Sequence, residues 1–325
     1  MLLVSGDLVR RTGGNLYDLR MERACRRAGV HLAIVSVRST AHARSELARR
    51  RPRVIVIDSI AIPIAAPLTR WARAELGARV IALIHMPTKA RGTRALLRAA
   101  DRVVAVSPSL SRTLGVPRSR LTVIAPGRDG VRRVARRARG PREGSVLRVL
   151  SVANWSPSKG ITTLVAAAAL VPNVHLDLVG DMGAGTYGAA MRSRISVMGD
   201  RVTIHGALGD AALARRYAEA DVFALPTARE GYGTVFAEAL EHGLPIIASN
   251  IAPVRAIVGD AGLLVPPRRV RPLVSALRLM SDTWLRRRLA RNARDRARAL
   301  PSWAGSQRVF VALVRSEMRA AIAGR

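Results

Sequence analysis

Short runs of β-branched and apolar residues alternate along the chain with stretches of helical pattern. In the first half, the strand-like runs are Met1 to Val4, Leu32 to Val37, Val54 to Asp58, Val80 to His85, Val103 to Ser107 and Leu121 to Ala125. Strands that alternate with helices pair in parallel, because each crossover returns the chain to the same edge of the sheet. The first half therefore predicts a parallel α/β domain.

The second half repeats this alternation after an arginine-rich, poorly patterned segment. Pro126-Gly127 ends the first half and a new strand begins at Val146, which predicts a basic interdomain linker over 128–145. The further strands are expected near Val146 to Val152, Leu176 to Val179, Val202 to His205, Val222 to Leu225, Ile246 to Ala248 and Leu263 to Val265. Helices are predicted from Pro272 to Met280, Thr283 to Ala299 and Trp303 to Ala323. These patterns predict domains at 1–127 and 146–300, followed by a C-terminal helix within 301–325.

Length and composition agree with two domains. A chain of 325 residues, 49% of them hydrophobic, can bury two cores.

The single cysteine, Cys25, permits no intrachain disulfide and favours a reducing, cytoplasmic location. The residues before Ser5 are too few for the apolar part of a signal peptide, and the longest apolar stretch, Val54 to Leu68, contains Asp58 and two prolines. We therefore expect neither a signal peptide nor a membrane-spanning helix.

The formal net charge of +32 points toward an anionic partner. Such an excess is typical of proteins that bind nucleic acid, anionic lipid or an acidic substrate. Aromatic residues are 3% of the chain and no nucleic-acid-binding module is recognisable, so nucleic acid is not an expected partner. The densest basic cluster, Arg128 to Arg142, is interpreted either as a patch that holds the protein on an anionic membrane surface or as a solvated linker. The arginine-rich and alanine-rich composition is also compatible with a coding bias toward GC-rich codons.

Two glutamates stand eight positions apart around a glycine-containing turn. Glu230 and Glu238 follow the strand-like run Val222 to Leu225. A helix that opens near Thr234 would leave main-chain N–H groups unpaired, and such a helix start attracts phosphate. The carboxylates would accept hydrogen bonds from hydroxyl groups on either side. This combination predicts a site for a nucleotide-diphosphate sugar, although an isolated pair of this kind is also compatible with glutamates on a solvated helix face.

Five further segments stand in an order that resembles the C-terminal half of the retaining glycosyltransferases of family 4, also called glycosyltransferase group 1. The segments are Val149 to Gly160, His175 to Asp181, Val202 to Gly206, Gly243 to Ser249 and Gly262 to Pro267. The resemblance extends over most of the chain. It implies the α/β fold called GT-B, in which two Rossmann-like, doubly wound domains face each other across a cleft. It also implies that the C-terminal helix within 301–325 packs back on the N-terminal domain.

The resemblance implies a hexosyltransferase that moves a sugar from a nucleotide-diphosphate sugar to an acceptor hydroxyl with retention of configuration. In the family, the first glutamate of the pair holds the donor sugar and the second holds the nucleotide ribose. Carried over to this chain, the donor-binding residues are Gly13, Gly14, Asn154, Lys159, Glu230, Gly231, Tyr232, Gly233, Thr234 and Glu238. Among these, the main-chain amides of Gly231 to Thr234 would hold the diphosphate together with Lys159. No cofactor or metal ion is expected, since the chain has no Asp-x-Asp pair and few histidines or cysteines.

Lys159 is informative because arginine occupies nearly every other basic position, and only Lys89 and Lys159 are lysines. A compact ammonium group suits a diphosphate as a point charge. Two positions depart from the family's pattern. Asn154 stands where an arginine usually shares the diphosphate, and Ala256 stands where a glutamate is common.

Two loops of the first half also match the family. Gly13 and Gly14 follow the first strand, where the family's glycine pair lets the backbone approach the donor phosphate and the acceptor, although such pairs alone mark turns of every kind. His85 ends the fourth strand-like run. A lone histidine is more often structural, but this one matches the family histidine near the reacting sugar. We therefore predict His85 and Glu230 as the catalytic residues.

Three other functions remain open from the sequence. An epimerase or phosphorylase with the GT-B fold would need no separate alcohol acceptor. A non-catalytic protein that binds a sugar nucleotide or a partner is favoured by Asn154. Charge alone would indicate a nucleic-acid-binding protein. The sequence identifies neither the donor base and sugar nor the acceptor, which is a glycan, a lipid or a small molecule.

Overall fold

The computed structural model describes residues 1–8, 10, 12–128, 146–183 and 186–323. The chain divides into two compact units, Met1–Gly127 with Pro301–Arg325, and Arg128–Leu300. The predicted linker over 128–145 and the basic cluster Arg128 to Arg142 lie outside the described residues except for Arg128. Each unit has its own sheet and its own helices.

The first unit is built on a six-stranded parallel sheet in the order β2-β1-β3-β4-β5-β6. Its strands are β1 (Leu2–Val4), β2 (Ile34–Ser36), β3 (Val54–Asp58), β4 (Arg79–Ile84), β5 (Arg102–Ala105) and β6 (Leu121–Val123). Its helices, numbered along the whole chain, are α1 (Gly13–Arg27), α2 (Thr40–Arg50), α3 (Ile62–Ala65), α4 (Thr69–Leu76), α5 (Thr93–Ala99), α6 (Pro108–Ser111) and α14 (Trp303–Ala323). The central strands β3 and β4 are almost entirely buried, which explains why they are continuous apolar runs rather than alternating ones.

The second unit has a six-stranded parallel sheet in the order β12-β11-β10-β7-β8-β9. Its strands are β7 (Leu147–Val152), β8 (Val174–Val179), β9 (Val202–Gly206), β10 (Val222–Leu225), β11 (Ile246–Ser249) and β12 (Gly262–Val265). Its helices are α7 (Ile161–Ala169), α8 (Thr186–Ser196), α9 (Asp210–Glu219), α10 (Thr234–Glu241), α11 (Ala252–Val258), α12 (Val270–Leu279) and α13 (Thr283–Ala299). The strand order reverses beside β7, so the loops after β7 and β10 flank the switch point where such sheets bind ligands.

The predicted parallel α/β architecture is confirmed, since every predicted strand overlaps an observed one. The predicted and observed strand ends differ by at most two residues. For example, β4 ends at Ile84, so His85 lies just beyond the strand. Helices α13 and α14 have the predicted bounds. None of the described helices combines the length and the apolar character that a membrane crossing requires.

Helix α14 is tied to the sheet of the first unit by a buried carboxylate. It packs against α1, β3 and β4. The carboxylate of Glu317 lies 2.8 Å from Nε of both Arg79 and Arg102, at the starts of β4 and β5. The Glu317 side chain is nearly inaccessible, whereas each arginine is about one third exposed. The two guanidinium groups therefore compensate the desolvation of one carboxylate.

Replacing Glu317 by glutamine should destabilise the first unit, because two guanidinium groups would then face a neutral side chain. We expect the free energy of unfolding to fall by about 2–3 kcal/mol, measured by denaturant unfolding. The control is Glu22→Gln, which removes a 3.5 Å pair with the exposed Arg26 on α1 and should cost less than about 1 kcal/mol. Equal losses in the two variants would contradict the structural role of Glu317.

Candidate functional site

The loops after β7 and β10 bring Lys159 next to Glu230. The main-chain carbonyl of Ser158 accepts hydrogen bonds from the amide of Ala228 at 2.7 Å and from the hydroxyl of Thr227 at 3.1 Å. These bonds tie the two loops together. Nζ of Lys159 then lies 2.9 Å from Oε2 of Glu230, with both side chains largely shielded from solvent. The two residues predicted to serve different parts of one ligand are thus direct neighbours.

Two glycines make this close approach possible. Gly160 has a φ of +73°, and a Cβ there would lie 2.2 Å from the carbonyl oxygen of Pro226. Gly233 has a φ of +102°, and a Cβ there would lie 2.6 Å from the ring of Phe236. Both conformations disfavour residues with a side chain, and the available space excludes one. The glycines are therefore required by the loop geometry itself.

Helix α10 begins at Thr234, as predicted, with Gly233 as its N-cap residue. Glycine has no side chain that could accept hydrogen bonds from the first-turn amides. The amide of Phe236 bonds to the carbonyl of Gly233 at 3.0 Å, and no side chain caps the amides of Thr234 and Val235. The helix dipole adds partial positive charge at the same place. The amide of Gly231, just before this end, lies 3.3 Å from Oε1 of Glu230. The start of α10 thus has the geometry that binds anions.

The side chain of Tyr232 packs against the core of the second unit. Its hydroxyl is buried and has no hydrogen-bond partner among the described residues, and burial raises the pKa of Tyr232 to about 12. The contribution predicted for Tyr232 was its main-chain amide. That contribution does not depend on the direction of the side chain.

Glu238 lies one turn inside α10, where its carboxylate contacts a tyrosine from the neighbouring helix. The hydroxyl of Tyr217, on α9, donates a hydrogen bond to Oε2 of Glu238 at 2.9 Å. Sequence reasoning identified Glu238 and missed Tyr217. The only available signal was an aromatic residue between the predicted strands at Val202 to His205 and Val222 to Leu225, and such a residue ordinarily indicates a core position.

Asn154 and Ala256, the two departures from the resembled pattern, have structural contacts of their own. Oδ1 of Asn154 accepts a hydrogen bond from the amide of Asp181 at 3.2 Å, which ties the loop after β7 to the loop after β8. Ala256 lies on α11, and its carbonyl accepts a hydrogen bond from the guanidinium of Arg296. Asn154 supplies no positive charge and Ala256 supplies no carboxylate.

In the first unit, His85 lies between two buried carboxylates. Its Nε2 is 2.9 Å from Oδ2 of Asp58, at the end of β3, and 3.1 Å from Oδ1 of Asp18, on α1. The Tyr17 ring packs edge-on against the imidazole, with ring centroids 5.1 Å apart. A Cβ at Gly14 would lie 3.6 Å from the imidazole Cδ2. Sequence reasoning identified His85 and Gly14 but missed both aspartates.

Gly13 and Gly14 are the first two residues of α1, and Thr12 is its N-cap residue. The hydroxyl of Thr12 accepts a hydrogen bond from the amide of Asn15 at 3.0 Å. The glycine pair therefore lies in the first turn of a helix that follows a strand. This places it at the switch point between β1 and β3, beside the His85 cluster.

The two aspartates set the charge of His85. Burial by itself lowers the pKa of His85, but the negative charges and hydrogen bonds of Asp18 and Asp58 outweigh it and raise the pKa to about 10. Burial also raises the pKa of Asp18 to about 6; the nearby His85 opposes this shift and Asp58 adds to it. At neutral pH, His85 is thus an imidazolium that donates hydrogen bonds and cannot act as a base.

Among the described residues, the same three side chains also form the one cluster whose atoms are close enough to bind a metal ion together. One potential ligand atom each from Asp18, Asp58 and His85 lies within 4.8 Å of the others. A histidine that binds a metal must offer an unprotonated nitrogen. Here Nε2 lies at hydrogen-bond distance from both carboxylates. Without its proton, this nitrogen would be one of three ligand atoms that lie close enough together to hold one cation.

Comparison with known proteins finds a family match within the second unit. Residues 146–282 match the family model of glycosyl transferases group 1, and this range contains Lys159, Glu230 and Glu238. The MMP alpha-(1->4)-mannosyltransferase of Mycolicibacterium hassiacum is 33% identical over 172 residues, covering 50% of this chain and 42% of that protein. The D-inositol 3-phosphate glycosyltransferase of Actinosynnema mirum is 30% identical over 237 residues, covering 65% of this chain and 56% of that protein. The chain spans about half the length of the curated relatives that it matches.

Solved structures share the fold along nearly the whole chain. Sucrose-phosphate synthase from Thermosynechococcus elongatus superposes with a TM-score of 0.81 at 23% identity and covers 98% of each chain. Anabaena HepE, in complex with UDP-glucose, superposes with a TM-score of 0.78 at 18% identity and covers 97% of this chain and 99% of that chain. At these identities the similarity shows the fold. Residues 146–282 therefore match the glycosyl transferases group 1 family, and the chain has the two-domain GT-B fold.

Proposed function

We propose that the protein transfers a sugar from a nucleotide-diphosphate sugar to an acceptor hydroxyl with retention of configuration. The observation that carries this proposal is the Lys159–Glu230 ion pair beside the start of α10, with Glu238 one turn further along the helix. The relatives named above are a mannosyltransferase and a D-inositol 3-phosphate glycosyltransferase, and HepE was solved with UDP-glucose. These names support a sugar nucleotide as the donor.

In the proposed donor site, the amides at the start of α10, Lys159, Glu230 and Glu238 each contact a particular part of the sugar nucleotide. The diphosphate lies against the amides at the start of α10, with the ammonium of Lys159 as its counter-charge. Because Nζ of Lys159 lies 2.9 Å from Glu230, an arriving phosphate competes with that carboxylate for the ammonium. Glu230 then accepts hydrogen bonds from hydroxyls of the transferred sugar, and Glu238 accepts them from the ribose.

In the proposed transfer step, the bond between the anomeric carbon and the phosphate oxygen breaks. The acceptor hydroxyl bonds to the same face of the sugar and gives its proton to the departing oxygen. The amides at the start of α10 and Lys159 stabilise the negative charge on the nucleoside diphosphate. His85, as an imidazolium, donates a hydrogen bond to the donor sugar. This scheme uses no protein nucleophile and no metal ion.

Two alternatives keep the donor site but change the reaction. A non-catalytic protein would bind the donor without turnover, and the uncharged Asn154 at the diphosphate side favours it. An epimerase or phosphorylase would act without a separate alcohol acceptor. Lys159, Glu230 and Glu238 are all present in one site, which supports transfer. Product analysis with and without an added acceptor distinguishes sugar transfer from binding without turnover and from an epimerase or phosphorylase reaction.

The first test is a thermal-shift titration against UDP-, GDP-, ADP- and TDP-sugars, since a ligand that binds the native state raises its stability. We expect a selective rise in Tm with one donor.

In a transfer assay with that donor, Glu230→Gln should lower kcat/KM about 100-fold, the size expected for loss of a charge-assisted hydrogen bond. Glu219→Gln, an exposed carboxylate on α9, is the control and should leave transfer unchanged. Wild-type turnover in Glu230→Gln would refute the role of Glu230.

The charge of His85 predicts how stability depends on pH. The folded-state pKa of about 10 lies above the ordinary value of 6.5, so His85 contributes stability that is fully present below pH 6.5 and is lost as pH rises toward 10. The difference in Tm between the wild type and His85→Gln should therefore shrink across this range. Asp58→Asn removes one of the two acids and should move the loss to lower pH. A difference in Tm that stays constant from pH 6.5 to 10 would contradict an imidazolium at His85.

We further propose that an anionic membrane surface is a partner of helix α13. Trp284 is 63% exposed, and the guanidinium of Arg288 lies 4.9 Å from its ring centroid. Arg287 and Arg291 are exposed at the same helical spacing, so the four side chains form one stripe. A tryptophan among basic residues is typical of surfaces that lie at the lipid headgroups.

The buried free thiol of Cys25 supports a reducing, cytoplasmic setting.

The membrane proposal is tested by vesicle sedimentation. The wild type should bind anionic vesicles more strongly than neutral ones, and binding should weaken with salt. Arg287→Glu with Arg291→Glu should weaken binding about 30-fold or more, from about 1 kcal/mol per basic residue near the leaflet. Arg94→Glu with Arg98→Glu makes the same charge change on exposed positions of α5 and serves as the control. Equal losses in the two double variants would show that net charge, and not α13, governs binding.

A further inference from the structure

The ring of Tyr217 is fixed in the core of the second unit by two other rings. The imidazole of His242, which follows the last residue of α10, stacks on it with centroids 4.9 Å apart and planes 11° apart. The ring of Phe223, in β10, lies 6.1 Å away at 30°. Tyr217 itself is 2% exposed. A ring packed in this way has one orientation, so its hydroxyl also has one position.

That hydroxyl is aimed at Glu238. It lies 2.9 Å from Oε2 of Glu238 and 3.4 Å from the carbonyl of Val235, so the carboxylate is its principal acceptor. Burial, together with the nearby charge of Glu238, raises the pKa of Tyr217 well above its ordinary value. The hydroxyl therefore keeps its proton and remains a donor throughout the pH range in which proteins are folded.

The stacking partner and the carboxylate belong to the same face of α10. Glu238 and His242 are four residues apart, which places them one above the other on the helix. Burial lowers the pKa of His242 to about 4, so its ring is uncharged at neutral pH. Tyr217 thus packs against a neutral ring while its hydroxyl holds a carboxylate. The contact fixes the direction of the carboxylate through a donor that carries no charge of its own.

We propose that Tyr217 is a positioning residue for nucleotide recognition, which holds the Glu238 carboxylate in the orientation that accepts hydrogen bonds from the two ribose hydroxyls. This inference rests on the proposed function, in which Glu238 binds the ribose. A glutamate side chain rotates about three bonds, and its carboxylate accepts both hydrogen bonds of a vicinal diol best when the two hydroxyls lie near the carboxylate plane. The Tyr217 hydroxyl restricts that rotation before the nucleotide arrives.

The test compares ribose with dideoxyribose, because this ratio isolates the contribution of the diol. The dissociation constants of UDP, GDP and ADP, and of their 2′,3′-dideoxy forms, are measured by calorimetry for the wild type, Tyr217→Phe, Glu238→Ala and the double variant. The wild type should prefer the ribose form of its nucleotide by about 10- to 100-fold. Tyr217→Phe keeps the stacked ring and should reduce this preference by about 3- to 10-fold, with little effect on the dideoxy form. In the Glu238→Ala background it should have no further effect.

Tyr187→Phe is the matched control, because it also removes a hydroxyl from a helix of the second unit, where that hydroxyl lies 3.1 Å from the hydroxyl of Thr162. It should keep the wild-type preference. If Tyr217→Phe weakens the ribose and dideoxy forms equally, or keeps the wild-type ratio, Tyr217 is only a core residue and the inference fails while the donor site stands. If the wild type binds none of the three diphosphates and no sugar nucleotide of the thermal-shift panel, the proposed function fails and this inference fails with it. If it binds only a TDP-sugar, whose deoxyribose has no diol, this inference fails alone.

Discussion

The parallel pairing of the strands in each unit determines where chemistry can occur. Because all strands of a sheet run in the same direction, the loops at their carboxyl ends meet at one edge. In both units the strand order reverses beside the first strand, between β1 and β3 and between β7 and β10. The loops diverge there and leave room for a ligand. Gly14 and Asp58 border the first of these points, and Lys159 and Glu230 border the second.

Within the second unit, backbone contacts set the position of the charged groups. The carbonyl of Ser158 accepts two hydrogen bonds from the loop after β10, and Gly160 lets the chain pass against the carbonyl of Pro226. Lys159 lies between these two contacts in sequence, so its Cα has a fixed position beside the loop that carries Glu230. The ion pair with Glu230 is a consequence of this tied loop. A surface pair held only by its own attraction would be far less ordered.

The sequence predicted the sheet well because buried parallel strands are continuous apolar runs, and it predicted the start of α10 because glycines stop a strand and begin a helix. It did not predict contacts between distant segments. Lys159 and Glu230 are 71 positions apart and were assigned to different ligand groups, although they pair directly. Asp18 is one polar residue on an amphipathic helix, and nothing local marks it as a neighbour of His85. Asp58 could have been found, since it ends the strand beside the one that His85 follows.

The carboxylates of this arginine-rich chain differ in the groups that they contact. Glu317 lies against two guanidinium groups, so its charge is balanced within the protein and its role is structural. Glu238 receives a hydrogen bond from a neutral hydroxyl, which fixes its direction without adding a positive charge. A net charge of +32 attracts any anion, so charge alone cannot distinguish a nucleotide-diphosphate sugar from another phosphate compound. In the proposed site, selection therefore depends on hydroxyl groups, whose hydrogen bonds the carboxylates of Glu230 and Glu238 accept.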